Sequence, residues 1–395
     1  MKITNISASM NGSRSRVSAT VDGEDLWFES ADAELAPAPE AFASAFLIPA
    51  MNAGEDLHIE APLCPLWQAN AAEAQKVIHR WWKFQKIKAQ GFKSQKHPCD
   101  AIPEANTRQH TRKQKPRAET GIKAQCFTGG VDSFFTLLND DDKPDFLVYV
   151  YGFDIPLGDD DRLAAYSPSL SQIAKEHDAS SITVSTNLRS IERFDQVGWS
   201  ISHGGALAGI GHLLRSHTSV FIIPPSYPYH DSRPWGSHWE LDRFWSSSCV
   251  AIEHGDASLR RHQKLPVLAK DHLAMKHLRV CWENRASSGN CSECEKCVRT
   301  MIGLHLIDAL DSCHAFTGGS ESLVEKVDAL SPLKRPLISV YEEILRDLKE
   351  RERAAVAGAV VRLLDRSKPK TTSLTSRLIR ALSLRGLRRL TKTNQ

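Results

Sequence analysis

The chain contains no uninterrupted apolar run near the roughly 20 residues that a membrane-spanning helix needs, so an integral membrane protein is not expected. Its N-terminus, "MKITNISASMNGSRSR", lacks the apolar core of a signal peptide. A strong charge of one sign is also missing. With 25% charged residues and a net charge of +3, the 395-residue chain is an ordinary soluble protein rather than a dedicated nucleic-acid binder. An even cysteine count is absent as well. There are nine cysteines and four of them cluster late, which fits reduced thiols and a metal site better than a secreted disulfide framework. The expected compartment is the cytoplasm.

The hydrophobic fraction of 41% is enough to fill real cores. Residues 1–90 read as a small α+β domain. "VSATVDGEDLWF" alternates around Asp22-Gly23, a hairpin signal; "AFASAFLIPAM" and "AAEAQKVIHRWWKFQ" follow as helices. Residues 91–118 are basic, polar and interrupted by proline, and read as a solvated linker in preference to a contact with an acidic partner. From 119 strands and helices alternate: "KAQCFT", "SFFTLLND", "DFLVYVYGF", "SPSLSQIAKEHDA", "SSITVST", "SHGGALAGIGHLLRS" and "SVFIIPP". That alternation predicts an α/β fold with a doubly wound, mostly parallel sheet over 119–312. A helical extension over 313–365 and a basic tail over 366–395 complete the chain. The tail has no acid beyond Asp365 and interleaves Leu378, Ile379, Leu382, Leu387 and Leu390 with Arg377, Arg380, Arg385, Arg388 and Arg389. It is able to lie on an anionic membrane surface or to touch nucleic acid, with a frayed solvated tail as the alternative.

Between the first strand and helix of the α/β region stands "CFTGGVDSFF". Glycines let backbone approach a ligand, the helix start adds positive potential, and Thr128 and Ser133 add hydroxyls. Gly129, Gly130, Val131 and Asp132 complete an anion cradle suited to phosphate. The loop has neither the lysine of a Walker A loop nor the third glycine of a dinucleotide fingerprint. Asp132 is placed to orient Mg²⁺ or to cap the helix, and a dual role is expected. Gly152 and Asp154, at the end of the second strand, fall where such folds bind ligands.

A second constellation, Cys281, Cys291, Cys294 and Cys297, has the spacing C-x9-C-x2-C-x2-C. Four thiolates satisfy tetrahedral zinc in a structural site. An iron–sulfur cluster is the competing reading, ranked lower because a proline-flanked ferredoxin-like fourth cysteine is missing.

"TGGVDS" resembles the loop of the N-type ATP pyrophosphatases, the PP-loop superfamily, with Thr128 in place of the usual serine. With the four cysteines following some 150 residues later, residues 119–312 resemble 7-cyano-7-deazaguanine synthase and its relatives. The resemblance implies that Thr128 to Ser133 hold the pyrophosphate part of ATP, and that a carboxylate, or a carbonyl oxygen as the lesser alternative, is adenylated and then attacked by ammonia or another nucleophile. It also implies ATP, Mg²⁺ and structural Zn²⁺, and a lysine, Lys264, neutralising charge on the α-phosphate. In place of the family's base-recognition segment stands "PPSYPYHDSRPWGSHWELDRFWSS". The expected substrate therefore differs, and Trp235, His238, Trp239, Glu240, Asp242 and Trp245 are its candidate pocket. His203 and His238 read as structural histidines. Two alternatives stay open: a sulfur-transfer PP-loop enzyme acting on RNA, through Cys126 or Cys249, and a non-catalytic ATP-binding scaffold.

Overall fold

A computed structural model describes residues 1–92, 121–231, 233–286 and 288–368. Most of the basic linker and all of the tail beyond residue 368 lie outside the described residues. The described chain forms an α/β structure with one ten-stranded, mostly parallel sheet and twelve α-helices. No described helix is long and apolar enough to cross a membrane. Two compact units divide at residues 317 and 318.

The N-terminal strands β1 (Lys2–Asn11), β2 (Arg14–Val21) and β3 (Glu24–Ser30) form an antiparallel meander. Asp22 and Gly23 turn the β2–β3 hairpin with φ of 47° and 97°, the positive values a two-residue turn requires. Short strands β4 (Leu57–Ile59) and β5 (Ala89–Gln90) extend that edge in parallel. The α/β region supplies β6 (Lys123–Cys126), β7 (Phe146–Tyr151), β8 (Ser180–Thr186), β9 (Val220–Ile223) and β10 (Ala251–His254), all parallel.

A separate domain over residues 1–90 was expected from the change of pattern near residue 119. Instead β3 pairs antiparallel with β8, Phe28 opposite Thr186, so the meander continues the parallel sheet. The change of pattern marks a change of strand direction rather than a gap between cores.

The meander half is capped by α1 (Pro39–Ala53) and α2 (Pro65–Trp82). Helix α1 crosses α6 (Trp199–Leu213) closely because α6 carries small residues. A Cβ on Gly205 would stand 2.2 Å from the Ser44 carbonyl, and one on Gly209 2.7 Å from that of Ala41. Strand residues alternate between the two faces of the sheet. Cys126, Val148, Val150, Val184, Phe221 and Ile223 join the core that holds α1 and α6. Gln125 and Tyr149 face the opposite side, where α3 (Val131–Asn139) and α4 (Asp160–Glu176) lie. There Gln125 donates to the Ser133 carbonyl at 2.9 Å, and Tyr149 meets Tyr166 at 4.8 Å between ring centroids. Both faces are thus covered, and each buried Val, Ile or Phe contributes about 1.5–3 kcal/mol.

The parallel strands run in the order β8-β7-β6-β9-β10. The chain therefore leaves β6 in one direction through β7 and β8, and returns to its other side at β9. In open α/β sheets, the carboxyl ends at such a reversal leave a crevice for a ligand.

Residues 318–368 form the second unit, described by itself. Helices α10 (Leu323–Ala329), α11 (Arg335–Glu350) and α12 (Ala354–Ser367) bury Tyr341, Ile344, Leu348, Val356, Val360 and Leu363. Arg366 caps α10 by donating to the carbonyls of Val327, Asp328 and Leu330.

Candidate functional site

The glycine turn joins β6 to α3 at that reversal. Gly129 has φ of 72°, a left-handed conformation, and Gly130 caps α3 without any side-chain cap. A cavity of about 270 Å³ opens beside it. Of the expected cradle, Thr128, Gly130, Val131, Asp132 and Ser133 line the cavity, as does Asp154; Gly129 and Gly152 do not. Gly152 has a packing reason instead. A Cβ there would stand 2.1 Å from the Thr186 carbonyl on β8.

Asp132 does not cap the helix. Its carboxylate takes Lys264 Nζ at 2.9 Å on one oxygen and Arg261 on the other. Burial pushes this carboxyl up, but Arg261 and Lys264 outweigh it and hold it below the ordinary range. Both residues belong to α7 (Arg261–Leu268), so the pair fastens α7 to the glycine turn. Lys264 is wholly buried and also donates to the Pro225 carbonyl at 2.7 Å, just beyond β9. It is absent from the cavity wall, and Arg261 reaches the wall in its place. Lys264 is therefore placed as a brace and not, as expected, against the α-phosphate.

Two further cations line the cavity, and the sequence reading missed both. Arg279 lies 8% exposed, and its backbone N–H donates to the Gly129 carbonyl at 2.7 Å. Its guanidinium stands 5.6 Å over the Tyr166 ring. Among the described residues its side chain makes one hydrogen bond, at 3.4 Å to the Asn284 amide oxygen, and no described carboxylate pairs with it. Tyr166, itself buried, has a hydroxyl without a partner, close to where a Cβ on Gly129 would stand. Lys296 is the second cation; burial, with Arg261 nearby, brings its ammonium down to about 8. The signal that would have found these residues is position: each lies one or two residues from a clustered cysteine.

The cysteines converge as the spacing predicted. Cys281 follows α8 (His272–His277), Cys291 and Cys294 lie in the next loop, and Cys297 is in the first turn of α9 (Glu295–Leu306). All four sulfurs stand within 4.8 Å of one another, with Cys281–Cys294 and Cys291–Cys297 at 3.9 Å. Thiolates about 2.3 Å from one tetrahedral zinc stand roughly 3.8 Å apart. The group is thus able to hold a single metal ion such as zinc. A multi-iron cluster, which spreads its thiolates over several irons, needs wider spacing. Asn290 braces the loop, accepting from the N–H groups of Val280 and Cys281 and donating to the carbonyls of Leu278 and Ala315. Cys281 itself lines the cavity, so the cysteine cluster and the cavity share a wall.

From the tryptophan-rich stretch, Pro224, Ser226, Trp235 and Ser237 are the described residues that line the cavity. Trp245 is core, Trp239 is partly exposed, and Glu240 pairs with Arg80. Asp242 is fully buried and accepts from Ser237 Oγ at 2.6 Å, with His254 Nδ1 at 2.7 Å. The remaining aromatic wall comes from Phe127, Phe153, Trp199 and Trp282. His203 lines the cavity, while His238 serves the loop by accepting from the Glu240 N–H at 3.1 Å. Burial pushes the Cys126 thiol up, which keeps it protonated. Cys249 is disulfide-bonded, a departure from the expectation of reduced thiols.

No protein-family model matches the chain, and no curated protein and no solved structure was found similar to it.

Proposed function

We propose that the protein is a divergent PP-loop enzyme that adenylates a substrate carboxylate with ATP, releases pyrophosphate, and passes the acyl group to ammonia or another amine. The observation that carries this reading is Arg279, a buried guanidinium without a carboxylate partner, tied to the glycine turn and lining the cavity. A buried cation left unpaired is costly, and a bound phosphate would supply the missing charge. The reversal of strand order at β6 and the resemblance of "TGGVDS" to the family loop support the same reading.

On this reading the turn from Thr128 to Ser133 holds the β,γ-phosphates. Arg261, Arg279 and Lys296 neutralise charge that grows on the phosphates as pyrophosphate departs. Asp154, exposed and at the carboxyl end of β7, would hold Mg²⁺, which supplies screening of phosphate charge. Asp132 is engaged by two cations and acts as their anchor. Zinc would be structural, since four thiolates leave no open position for water. The sulfur-transfer alternative requires a thiolate, and the buried Cys126 thiol is ill suited to form one.

The test is chromatography of nucleotides after the zinc-loaded protein is incubated with Mg-ATP and a deproteinised cell extract. AMP and pyrophosphate in equal amounts support the reading. Thermal stabilisation by ATP with no AMP from any extract overturns it in favour of a nucleotide-binding scaffold.

A further inference from the structure

We propose that His203 is the general base of the amine-transfer step, which rests on the adenylating reading above. His203 lies on the first turns of α6, and the α6 residues Trp199, His203 and Leu207, four apart, all line the cavity. Its Nδ1 is 2.9 Å from the Trp199 carbonyl. A carbonyl only accepts, so Nδ1 carries the proton and Nε2 keeps a lone pair. That tautomer is held in place by packing. The ring lies 5.7 Å from Trp199 and 5.6 Å from Trp235, and a Cβ on Gly236 would stand 2.6 Å from Nδ1. Nε2 has no described partner, and it is the ring nitrogen left for the cavity.

Burial pulls the His203 imidazole below its ordinary range, against the Trp199 carbonyl, Asp242 and Asp154, which act the other way. Arg189 stacks over Trp199, and Arg261, Arg279 and Lys296 line the same cavity. The three lining cations also repel an ammonium ion, so the attacking species is the neutral amine. In the step, the amine lone pair forms the new N–C bond at the acyl carbon. The C–O bond to AMP then breaks, and AMP leaves with that electron pair. One N–H proton passes to His203 Nε2, and imidazolium returns it to water.

The experiment uses the full-length zinc-loaded protein, Mg-ATP, a deproteinised extract as the source of acid, and ammonium chloride as the amine probe. His203→Asn keeps a donor for the Trp199 carbonyl and removes the base. AMP is followed through the first turnover and at steady state from pH 5.5 to 8.5. We expect steady-state turnover to fall about 10²–10⁴-fold, more than first-turnover AMP. The wild-type to variant ratio, in which ionisation of the amine cancels, should rise with pH and level off. Equal turnover, or a ratio flat with pH, overturns the assignment while leaving adenylation intact. Absence of AMP from the wild type overturns adenylation and this inference with it. Should the variant lose zinc or melt early, labelling of the wild type with diethyl pyrocarbonate decides. His203 Nε2 should react ahead of the buried His212, whose Nε2 lies 2.8 Å from the Trp245 carbonyl. Slower reaction than His212 overturns the proposal.

Discussion

The meander half and the parallel half of the sheet share one hydrogen-bonded ladder, yet they treat buried polar groups in opposite ways. Among described residues up to 92, no buried side-chain nitrogen or oxygen lacks a partner. Glu40, 1% exposed, accepts from the Cys64 N–H at 2.8 Å, and Trp67 donates to Ser44 Oγ at 2.9 Å. In the parallel half, Gln125 Oε1, Tyr149 Oη, Tyr166 Oη, Trp235 Nε1, Trp245 Nε1 and Arg261 Nε are among those without a described partner, and Arg279 has no described carboxylate. Buried polar groups are almost always satisfied in stable cores. Two of these atoms, Trp235 Nε1 and Arg261 Nε, belong to residues that line the cavity, while others, such as Gln125 Oε1, Tyr149 Oη and Trp245 Nε1, lie away from it. The wider, open hollow of about 410 Å³ beside Lys2, His58 and Glu60 has no such set.

The comparison is broken most severely by removing any metal that the four cysteines hold. Chelation, or Cys294→Ser, should release the segment from residue 278 to 297 and abolish phosphate affinity, while the meander keeps its slow amide exchange. Hydrogen exchange read by mass spectrometry checks both halves at once. Next in size is Asp132→Asn, which leaves Arg261 and Lys264 without their carboxylate. A loss of about 3–5 kcal/mol in denaturant stability is expected, with turnover abolished and zinc content unchanged. Phe46→Ala, in the wholly buried face of α1, should cost a similar 3–5 kcal/mol. Its nucleotide affinity per folded molecule should stay at the wild-type value, which calorimetry at low temperature would show. Arg279→Gln inverts that pattern: affinity for pyrophosphate should drop about 10- to 100-fold, as for a lost charged hydrogen bond. Its melting temperature should hold or rise, because an unpaired buried cation has gone. The smallest effect is acidic. His203 and His238 are held neutral by burial, so the unfolded chain takes up protons near the ordinary value of 6.5 before the folded one does. Stability should be complete above that pH and decline below it, by on the order of 1 kcal/mol at pH 5.5, measurable by urea titration.

The strands and helices of the α/β region were legible because period and turn chemistry are local. "DFLVYVYGF" could only be a buried strand, and it is β7. The cysteines were legible because their ligand chemistry is printed in the spacing. Two things were not. The pairing of β3 with β8 joins residues some 157 positions apart, and nothing local in "LWFES" says which edge it will meet. The cations were misjudged for a related reason. Lys264 and Arg261 are three apart on one helix, and only the packed position of α7 decides which is buried under Asp132 and which faces the cavity. Arg279 is unremarkable in sequence. Its role comes from the hydrogen bond that seats it on Gly129, across 150 residues.

The clustered cysteines bracket Lys296 and stand two residues from Arg279, so a metal held by them would fix two of the three cations on the cavity wall. Linkage is reciprocal. If metal organises the wall that grips an anion, an anion in the cavity must tighten the grip on the metal by the same factor. The molecule then behaves as a coincidence device. Starved of metal, it would keep a folded sheet and lose its sense of phosphate; supplied with both, it would surrender neither easily.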